Sequence, residues 1–367
     1  MVMTTSRAAV VRAKGGPLQI EDVELGEPRA EEVLVRTVAS GICHTDIIVR
    51  DQVLPPGPPA ILGHEGAGVV EAVGSQVHGL APGDHVVLAP VSCSACRNCL
   101  RGHPMNCDSF TALNFGGRRA DGSTAYRDST GAELNAHFFG QSSFSNHVIV
   151  PQRGAVKVPT EAPLELLGPL GCGLQTGAGA VLSALAPPAG SSIVVFGAGG
   201  VGLAAVMAAV IAGCDPIIAV DLNASRLDTA VELGATHAVR AADDTVEQIQ
   251  AITRGGADFA LDAVGLPATL RQAVTALNIG GTAGLVGANA VGQEVSLDLM
   301  HLLFGRTVKG IVEGDTVPAL FIPRLVELFL RGRFPFDKII ERYPFSEINT
   351  AIEDAETGRA IKPVVLY

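Results

Sequence analysis

A glycine-rich turn constrains the fold of this chain more than any other feature of its sequence. Residues 197–202 read Gly-Ala-Gly-Gly-Val-Gly and directly follow the apolar run 192–196. In this pattern the first glycine forms a tight turn and the second lets a pyrophosphate approach the N–H groups of a helix N-terminus. The third allows a helix to pack closely on a strand. We therefore expect a dinucleotide to bind at Gly197, Gly199, Gly200, Val201 and Gly202.

An acidic residue at the end of the next apolar run indicates which dinucleotide. Asp221 lies nineteen positions after Gly202 and closes the run 216–221. A carboxylate there accepts hydrogen bonds from the ribose hydroxyls of NAD and repels the 2′-phosphate of NADP, so NAD is the expected cofactor. Arg226, on the helix that follows, either lies near the same ribose or is a solvated surface charge.

The arrangement of apolar runs predicts two domains. A chain of 367 residues exceeds the usual size of one hydrophobic core. Residues 1–173 contain short strand-like runs broken by Gly, Pro and Asp, whereas residues 174–312 alternate strand and helix, as in a doubly wound parallel sheet. The tail 313–367 holds amphipathic helices and a last strand. We expect an α/β protein in which residues 1–173 and 313–367 form a β-rich domain and residues 174–312 form the cofactor domain.

Four of the seven cysteines lie within fifteen residues, at positions 93, 96, 99 and 107. Four thiolates close a tetrahedral zinc site and leave no position for a substrate, so Cys93, Cys96, Cys99 and Cys107 predict a structural zinc. The alternative is a nonspecific or redox-active cluster, although a redox switch needs two cysteines rather than four. Thiolate ligands and an odd cysteine count favour a reducing compartment over a disulfide framework.

Three further candidate ligands are dispersed along the chain: Cys43, His64 and Cys172. Singly, each is weak evidence, because an isolated cysteine is usually a small buried apolar residue. Together they supply a Cys/His/Cys set with a fourth position left for water or substrate, which is the composition of a catalytic zinc site. We expect two zinc ions per chain.

Charge and hydropathy exclude other classes of function. The formal net charge is −11, the sequence pI is near 5.3 and no Lys/Arg block occurs, so a nucleic-acid partner is not expected. No apolar run is long enough to span a membrane, and the N-terminal sequence lacks the apolar core of a signal peptide. A cytoplasmic enzyme acting on a small molecule is therefore expected.

These residues resemble the zinc-containing medium-chain alcohol dehydrogenases over nearly the whole chain. The segment 63–68, with Gly74, Val77 and Gly83-Asp84 after it, is similar to the zinc signature of that family, and residues 171–173 and the glycine turn follow in the expected order. The run 43–52 most resembles the aryl-alcohol (benzyl alcohol) dehydrogenases. The resemblance implies a GroES-like catalytic domain beside a Rossmann NAD domain, and a homodimer or homotetramer associated through the edge strand 307–312.

The resemblance also implies roles for single residues. It makes Cys43, His64 and Cys172 the catalytic zinc ligands and Glu65 an occasional fourth ligand. It implies that Asp46 orients His64, that Thr45 takes the alcohol proton, and that Thr176 lies beside the nicotinamide. His44 and Lys362 are expected to contact the pyrophosphate. One departure is Ile48, which stands where many family members have a histidine that passes the proton to solvent, so the relay must end differently.

The expected substrate is a primary aromatic or allylic alcohol, oxidised to the aldehyde with NAD. By the resemblance, Thr45, Leu54, Ala89 and Phe144 face the substrate, and the small Ala89 leaves room for a ring or a branched chain. The alternative is a thiol-adduct formaldehyde dehydrogenase, in which Arg118 and Arg119 would bind the carboxylates of the adduct. A more remote alternative is a non-enzymatic interaction protein in which residues 93–107 form a zinc knuckle.

Overall fold

The computed structural model describes residues 4–367, which divide by their internal contacts into two units. The first unit comprises the described residues up to Cys172 together with Val317–Leu330 and Asp337–Tyr367. The second comprises Gly173–Thr316 and Arg331–Phe336. Among the described residues, no helix is long and apolar enough to cross a membrane.

The strands are Thr4–Val11 (β1), Leu18–Leu25 (β2), Glu32–Gly41 (β3), Ala60–Ile61 (β4), Glu65–Val73 (β5), His85–Leu88 (β6), Tyr126–Asp128 (β7), His147–Pro151 (β8), Ala155–Lys157 (β9), Ile193–Phe196 (β10), Ile217–Asp221 (β11), His237–Arg240 (β12), Ala257–Asp262 (β13), Leu277–Leu285 (β14), Thr307–Gly310 (β15), Ile340–Pro344 (β16) and Lys362–Leu366 (β17).

The α-helices are His44–Arg50 (α1), Arg97–Leu100 (α2), Phe110–Phe115 (α3), Leu164–Leu167 (α4), Gly173–Gly179 (α5), Gly200–Ala212 (α6), Ala224–Glu232 (α7), Thr245–Thr253 (α8), Pro267–Thr275 (α9), Leu299–Leu303 (α10), Pro318–Leu330 (α11) and Ile348–Thr357 (α12). A π-helical turn, Ala180–Leu185, continues α5.

The first unit is built on two sheets. One has the strand order β4-β1-β2-β7, and the other has the order β16-β17-β3-β5-β6-β9 with β8 paired to β3. Residues of β1, β2, α1, β8 and α12 form one apolar core. Alternating valines of β3, β5 and β8 form a second core. Each fully buried Val, Leu or Ile side chain contributes roughly 1.5–3 kcal/mol to folding.

The second unit is a six-stranded parallel sheet of order β12-β11-β10-β13-β14-β15. All four residues of the central strand β10 are buried, as expected for a strand covered on both faces. The chain leaves β10 through the glycine turn and enters α6. A Cβ atom on Gly202 would lie 1.7 Å from the carbonyl oxygen of Gly197, so only glycine allows the helix this close to the turn. The expected fold class, a β-rich unit with a doubly wound parallel-sheet unit, is confirmed.

The unit boundaries differ in detail from the expected ones. Gly173 and residues 313–316 group with the second unit, the latter because they pack against α5. Residues 331–336 also group with it, and the rings of Phe334 and Phe336, which are fully buried, lie 5.8 Å apart there.

Candidate metal centres and dinucleotide site

Four ligand side chains of the first unit converge in one buried cluster. Cys43 precedes α1, His64 precedes β5, Glu65 begins β5, and Cys172 ends the turn Gly168–Gly171. One donor atom from each lies within 4.8 Å of the others. His64 and Glu65 are fully buried and Cys43 is partly exposed. The structure thus brings together residues that are separated by up to about 130 positions in the sequence.

Asp46 holds the imidazole of His64 in place. Its Oδ1 atom lies 2.9 Å from His64 Nδ1 and accepts a hydrogen bond from the backbone N–H of Gly63 at 3.0 Å. Its Oδ2 atom accepts from the N–H of Cys43 at 3.0 Å. The other ring nitrogen, His64 Nε2, is buried and has no hydrogen-bond partner. A buried nitrogen aimed at two thiols is the arrangement that a zinc ion satisfies, so these residues fit a zinc site.

The electrostatics of the cluster favour the thiolate of Cys43, whereas the charge of Asp46 raises the pKa of His64 well above its ordinary value although burial opposes this. A hydrogen bond with Cys172, helped by the neighbouring imidazole, holds the pKa of Cys43 well below its ordinary value even though burial opposes this. The thiolate is the form that binds metals. Burial raises the pKa of Glu65, and the ammonium group of Lys362 limits that rise.

Lys362 is hydrogen-bonded to Glu65 of this cluster. Its Nζ atom donates to Glu65 Oε1 at 2.9 Å, to Glu65 Oε2 at 2.8 Å and to the carbonyl of Ile42 at 3.1 Å. The residue is 5% exposed, and all three of its protons are committed. Lys362 thus forms an ion pair with Glu65, and its expected contact with the pyrophosphate stays a prediction. A Cβ on Gly41 would lie 2.0 Å from Glu65 Oε2, so a glycine in β3 makes room for this ion pair.

The four remaining predicted ligands, Cys93, Cys96, Cys99 and Cys107, form a second cluster around α2. Cys99 Sγ lies 3.5 Å from Cys96 Sγ and 3.9 Å from Cys93 Sγ, well beyond a disulfide bond of about 2.05 Å. Backbone N–H groups point at the sulfurs: those of Ala95 and Cys96 donate to Cys93, and that of Ser109 donates to Cys107. Such bonds lower the pKa of Cys93 and bring that of Cys96 to about 6, whereas burial raises that of Cys107 to about 11. The cluster fits a closed tetrahedral zinc site.

In the second unit the glycine turn has the geometry of an anion-binding helix start. Gly199 precedes α6, and a Cβ built on it would meet no atom within 4 Å, so the absence of a side chain there leaves open space. Asp221, at the end of the neighbouring strand β11, accepts from the N–H of Ala198 at 2.7 Å and from that of Asn223 at 2.8 Å. Each carboxylate oxygen keeps a lone pair for a further donor. The site therefore fits the adenosine ribose and pyrophosphate of NAD.

The other predicted cofactor contacts lie in different settings. Arg226, on α7, is partly buried and its Nε atom has no hydrogen-bond partner, so it is not a fully solvated surface charge. Thr176, on α5, donates from Oγ1 to Glu313 Oε2 at 3.2 Å. His44 is the first residue of α1 and is exposed.

Two family models match these two parts of the chain. Residues 29–160 match the alcohol dehydrogenase GroES-like domain, and residues 200–330 match the zinc-binding dehydrogenase model. Over 367 residues the chain is 47% identical to the geraniol dehydrogenase of Castellaniella defragrans, with 99% of this chain and 98% of that protein covered. The chain belongs to the zinc-binding alcohol dehydrogenases.

Two solved structures resemble this dehydrogenase over its length. An alcohol dehydrogenase zinc-binding domain protein from Burkholderia ambifaria is 55% identical with a TM-score of 0.98, covering 100% of this chain and 99% of that one. The benzyl alcohol dehydrogenase of Acinetobacter calcoaceticus is 45% identical with a TM-score of 0.96, covering 99% of each chain. The expected family is confirmed, and a non-enzymatic zinc-knuckle protein is not supported.

The dehydrogenase places two aromatic rings against His64 that the sequence analysis missed. The ring of Phe139 stacks on the imidazole at a centroid distance of 4.5 Å, and that of Phe138 meets it edge-on at 5.3 Å. Phe139 has φ 50 and ψ 31, a left-handed conformation that is uncommon for a bulky residue. Strain of this kind clusters at functional sites. The adjacent pair of phenylalanines was the only signal in the sequence.

The four residues predicted to face the substrate all lie in the first unit. Thr45 Oγ1 lies 3.7 Å from Cys43 Sγ, beside the metal cluster. Leu54 is partly buried against the core of the first unit. Ala89 and Phe144 are 1% and 0% exposed, and Phe144 belongs to the same core as Phe138 and Phe139. The contact of these residues with a substrate stays a prediction.

The dehydrogenase uses Arg118 and Arg119 in internal contacts. Arg119 donates twice to the carboxylate of Glu32, at 2.7 and 2.6 Å. Arg118 donates to Glu133 at 2.7 Å and to Asn135 at 2.9 Å. Both guanidinium groups are therefore paired within the first unit, which weakens the case for a carboxylate-binding pocket formed by these residues.

Proposed function

We propose that this dehydrogenase oxidises primary aromatic or allylic alcohols, including terpenoid ones, to aldehydes with hydride transfer to NAD. The observation that carries the proposal is the buried cluster of Cys43, His64 and Cys172 with the hydroxyl of Thr45 beside it. Such a cluster can hold a zinc ion that polarises an alcohol next to a proton acceptor. Two relatives named for such alcohols, geraniol and benzyl alcohol, support the same class.

The chemistry divides between bound groups and side chains. Zinc held by Cys43, His64 and Cys172 would lower the pKa of a coordinated alcohol, and NAD would accept the hydride. The side chains supply orientation and proton handling. With zinc on Nε2, His64 would donate its Nδ1 proton to Asp46, which would orient the ring.

Thr45 is the proposed first proton acceptor, because its hydroxyl lies beside the cluster and can accept one proton while giving up its own. Ile48, one turn further along α1, cannot carry that proton. The relay is therefore proposed to continue through the ribose hydroxyl and water or another base.

The proposed choice of NAD over NADP rests on Asp221. Its carboxylate is fixed by two backbone N–H groups at the end of β11, so it cannot easily turn away from a 2′-phosphate. We expect Asp221→Gly to reduce the preference for NAD, measured as the ratio of kcat/KM for NAD to that for NADP. An unchanged ratio would show that another group reads the ribose.

A steady-state screen tests the substrate proposal. Geraniol, benzyl alcohol, ethanol and S-hydroxymethylglutathione are compared with NAD, and kcat/KM for the first two is expected to exceed that for ethanol by at least about tenfold, or roughly 1.4 kcal/mol. A preference for S-hydroxymethylglutathione would instead support the formaldehyde dehydrogenase alternative. Arg118→Ala, which leaves the proposed zinc ligands intact, should not change the ranking.

We also propose that the enzyme works as a homodimer or homotetramer in the cytoplasm. Strand β15 lies at the edge of the parallel sheet, where unpaired backbone groups can pair with a second copy. Seven unbridged cysteines, eight ligand positions in two clusters and no disulfide among the described residues support a reducing compartment.

A further inference from the structure

Three consecutive residues of the second unit adopt left-handed backbone conformations. Glu313, Gly314 and Asp315 have φ values of 47°, 70° and 51°, and two of them are not glycine. Such a run persists only where the surroundings fix it, and an observed strain of this kind points to a functional role. Lys309 contacts the turn: its Nζ lies 3.7 Å from Asp315 Oδ2 and donates to the carbonyl of Ala184 at 3.0 Å.

The strained turn directs a buried carboxylate at α5. Glu313 Oε2 accepts from Thr176 Oγ1 at 3.2 Å and from Gln175 Nε2 at 3.3 Å. Thr316 Oγ1 lies 3.1 Å from the carbonyl oxygen of Glu313 and 3.4 Å from Gln175 Oε1, so its one proton can be donated to either acceptor. A threonine hydroxyl has only one proton to donate, and that of Thr176 is used in the bond to Glu313. This bond also holds the Thr176 side chain in one rotamer.

Two glycines make this approach possible. A Cβ on Gly314 would lie 2.6 Å from the carbonyl oxygen of Gln175, and a Cβ on Gly179 would lie 2.4 Å from Thr316 Cγ2. The turn and α5 are therefore locked together through backbone contacts and through the side chains of Glu313 and Gln175.

The same helix packs on the start of the dinucleotide-binding helix. A Cβ on Gly177 would lie 2.0 Å from the carbonyl oxygen of Val201 and 2.9 Å from Ala204 Cβ, so α5 touches the first turn of α6 without an intervening side chain. Thr176 therefore directly precedes Gly177, the residue of α5 that contacts Val201 of the glycine turn. Its hydroxyl is hydrogen-bonded to Glu313.

We propose that Glu313 is a positioning residue that fixes Thr176 against the cofactor and, as a buried carboxylate, favours the oxidised over the reduced nicotinamide. This inference rests on the proposed function, in which NAD accepts the hydride, and on the expectation from the family resemblance that Thr176 lies beside the nicotinamide. The oxidised ring carries a positive charge and the reduced ring does not, so a nearby carboxylate attracts only the former. The dehydrogenase thereby binds NAD⁺ more tightly than it otherwise would before hydride transfer. Its contacts with the adenosine and pyrophosphate, which NAD⁺ and NADH have in common, are not weakened.

The test compares Glu313→Gln with Asp315→Asn in the zinc-loaded enzyme. Both changes remove one negative charge from the same turn, but Asp315 is paired with Lys309 rather than with Thr176. Dissociation constants of NAD⁺ and NADH are measured by fluorescence titration. Glu313→Gln is expected to raise the ratio Kd(NAD⁺)/Kd(NADH) by about three- to tenfold, and Asp315→Asn by less than about twofold.

A second pair of variants keeps the proposal testable if Glu313→Gln does not fold. Thr176→Val removes the hydroxyl that donates to Glu313, whereas Thr176→Ser retains it. The ratio Kd(NAD⁺)/Kd(NADH) should therefore differ more from the wild-type value in Thr176→Val than in Thr176→Ser. Equal weakening of both nucleotides in Glu313→Gln, or an unchanged ratio, would overturn the proposal. A wild-type enzyme that binds neither nucleotide would overturn the proposed cofactor itself, and with it the role of Glu313.

Discussion

Asp46 joins three parts of the first unit through one carboxylate, and its charge acts directly on His64. In Asp46→Asn the amide nitrogen would face the N–H of Cys43, and the imidazole would lose its anionic partner. We expect zinc affinity or kcat/KM to fall by about 10–100-fold. Zinc content by mass spectrometry and alcohol oxidation rates check this. Asp51→Asn, beyond the end of the same helix and paired with Arg50, is the matched control and should stay near wild type.

His137 predicts an acid-dependent loss of stability. The residue is buried, its Nε2 accepts from the N–H of Ala125, and burial lowers its pKa to about 3. Below about pH 6.5 the imidazole of His137 is protonated in the unfolded chain, whereas in the folded protein it stays neutral down to about pH 3. The free energy of unfolding should therefore fall with decreasing pH across this window, by up to about 1.4 kcal/mol per unit from this group.

The measurement is the urea midpoint at several pH values for the wild type and for His137→Gln, which can still accept the Ala125 bond. The difference in stability between the two proteins should shrink as the pH falls. Parallel curves would contradict the assignment of a neutral buried imidazole.

At the residue scale the sequence indicated side chains whose chemistry is tied to a motif. The spacing of the sequence motifs correctly predicted that the four cysteines form one cluster and that Asp221 lies beside the glycine turn. The pairing of Lys362 with Glu65 and the stacking of Phe139 on His64 could not be predicted, because these contacts join residues about 300 and 75 positions apart. No local sequence pattern shows that a lysine is buried against a carboxylate.

The four-cysteine cluster is an element whose folding depends on sulfur chemistry more than on apolar burial. Helix α2 has no buried residue and Leu100 is exposed. We expect Cys99→Ser to reduce the zinc content from two ions to one and to speed proteolytic cleavage within residues 93–107 by at least about tenfold, since the thiolates hold the segment. Intact mass spectrometry of timed digests measures the cleavage.

Cys214→Ala serves as the control, because Cys214 is buried outside both clusters. It should retain two zinc ions. Cleavage of Cys99→Ser at the wild-type rate would show that the segment is held by other contacts.

Elements with a clear period were predictable from sequence, and irregular ones were not. The fully apolar run of β10 and the helix after it follow directly from residue pattern. The turn Glu313–Asp315 does not, because left-handed φ values at Glu313 and Asp315 are dictated by the backbone of α5 rather than by their own propensities. This is also why residues 313–316 were assigned to the other domain from the sequence.

At the scale of the whole molecule, edge strand β15 predicts self-association. Val308 is 38% exposed on this strand, and Leu303 and Phe304 just before it are also exposed. Val308→Lys should weaken association by at least about tenfold, because a charge at the centre of an apolar interface is costly. Light scattering after size exclusion would then show a lower molar mass. The control Val231→Lys changes an exposed valine of α7 and should leave the molar mass unchanged. Equal molar masses for the wild type, Val308→Lys and Val231→Lys would contradict the proposed interface.

The position of β17 has a consequence for how the protein is made. This strand lies between β16 and β3, where it pairs with residues that precede it by about 320 positions, and it delivers Lys362 to Glu65. At about 5–20 residues per second, the ribosome would release β3 some 15–60 s before β17 is available. During that interval β3 has an open edge and the Glu65 carboxylate has no lysine partner. The nascent metal cluster is therefore exposed to mispairing and chaperone capture until β17 has been synthesised.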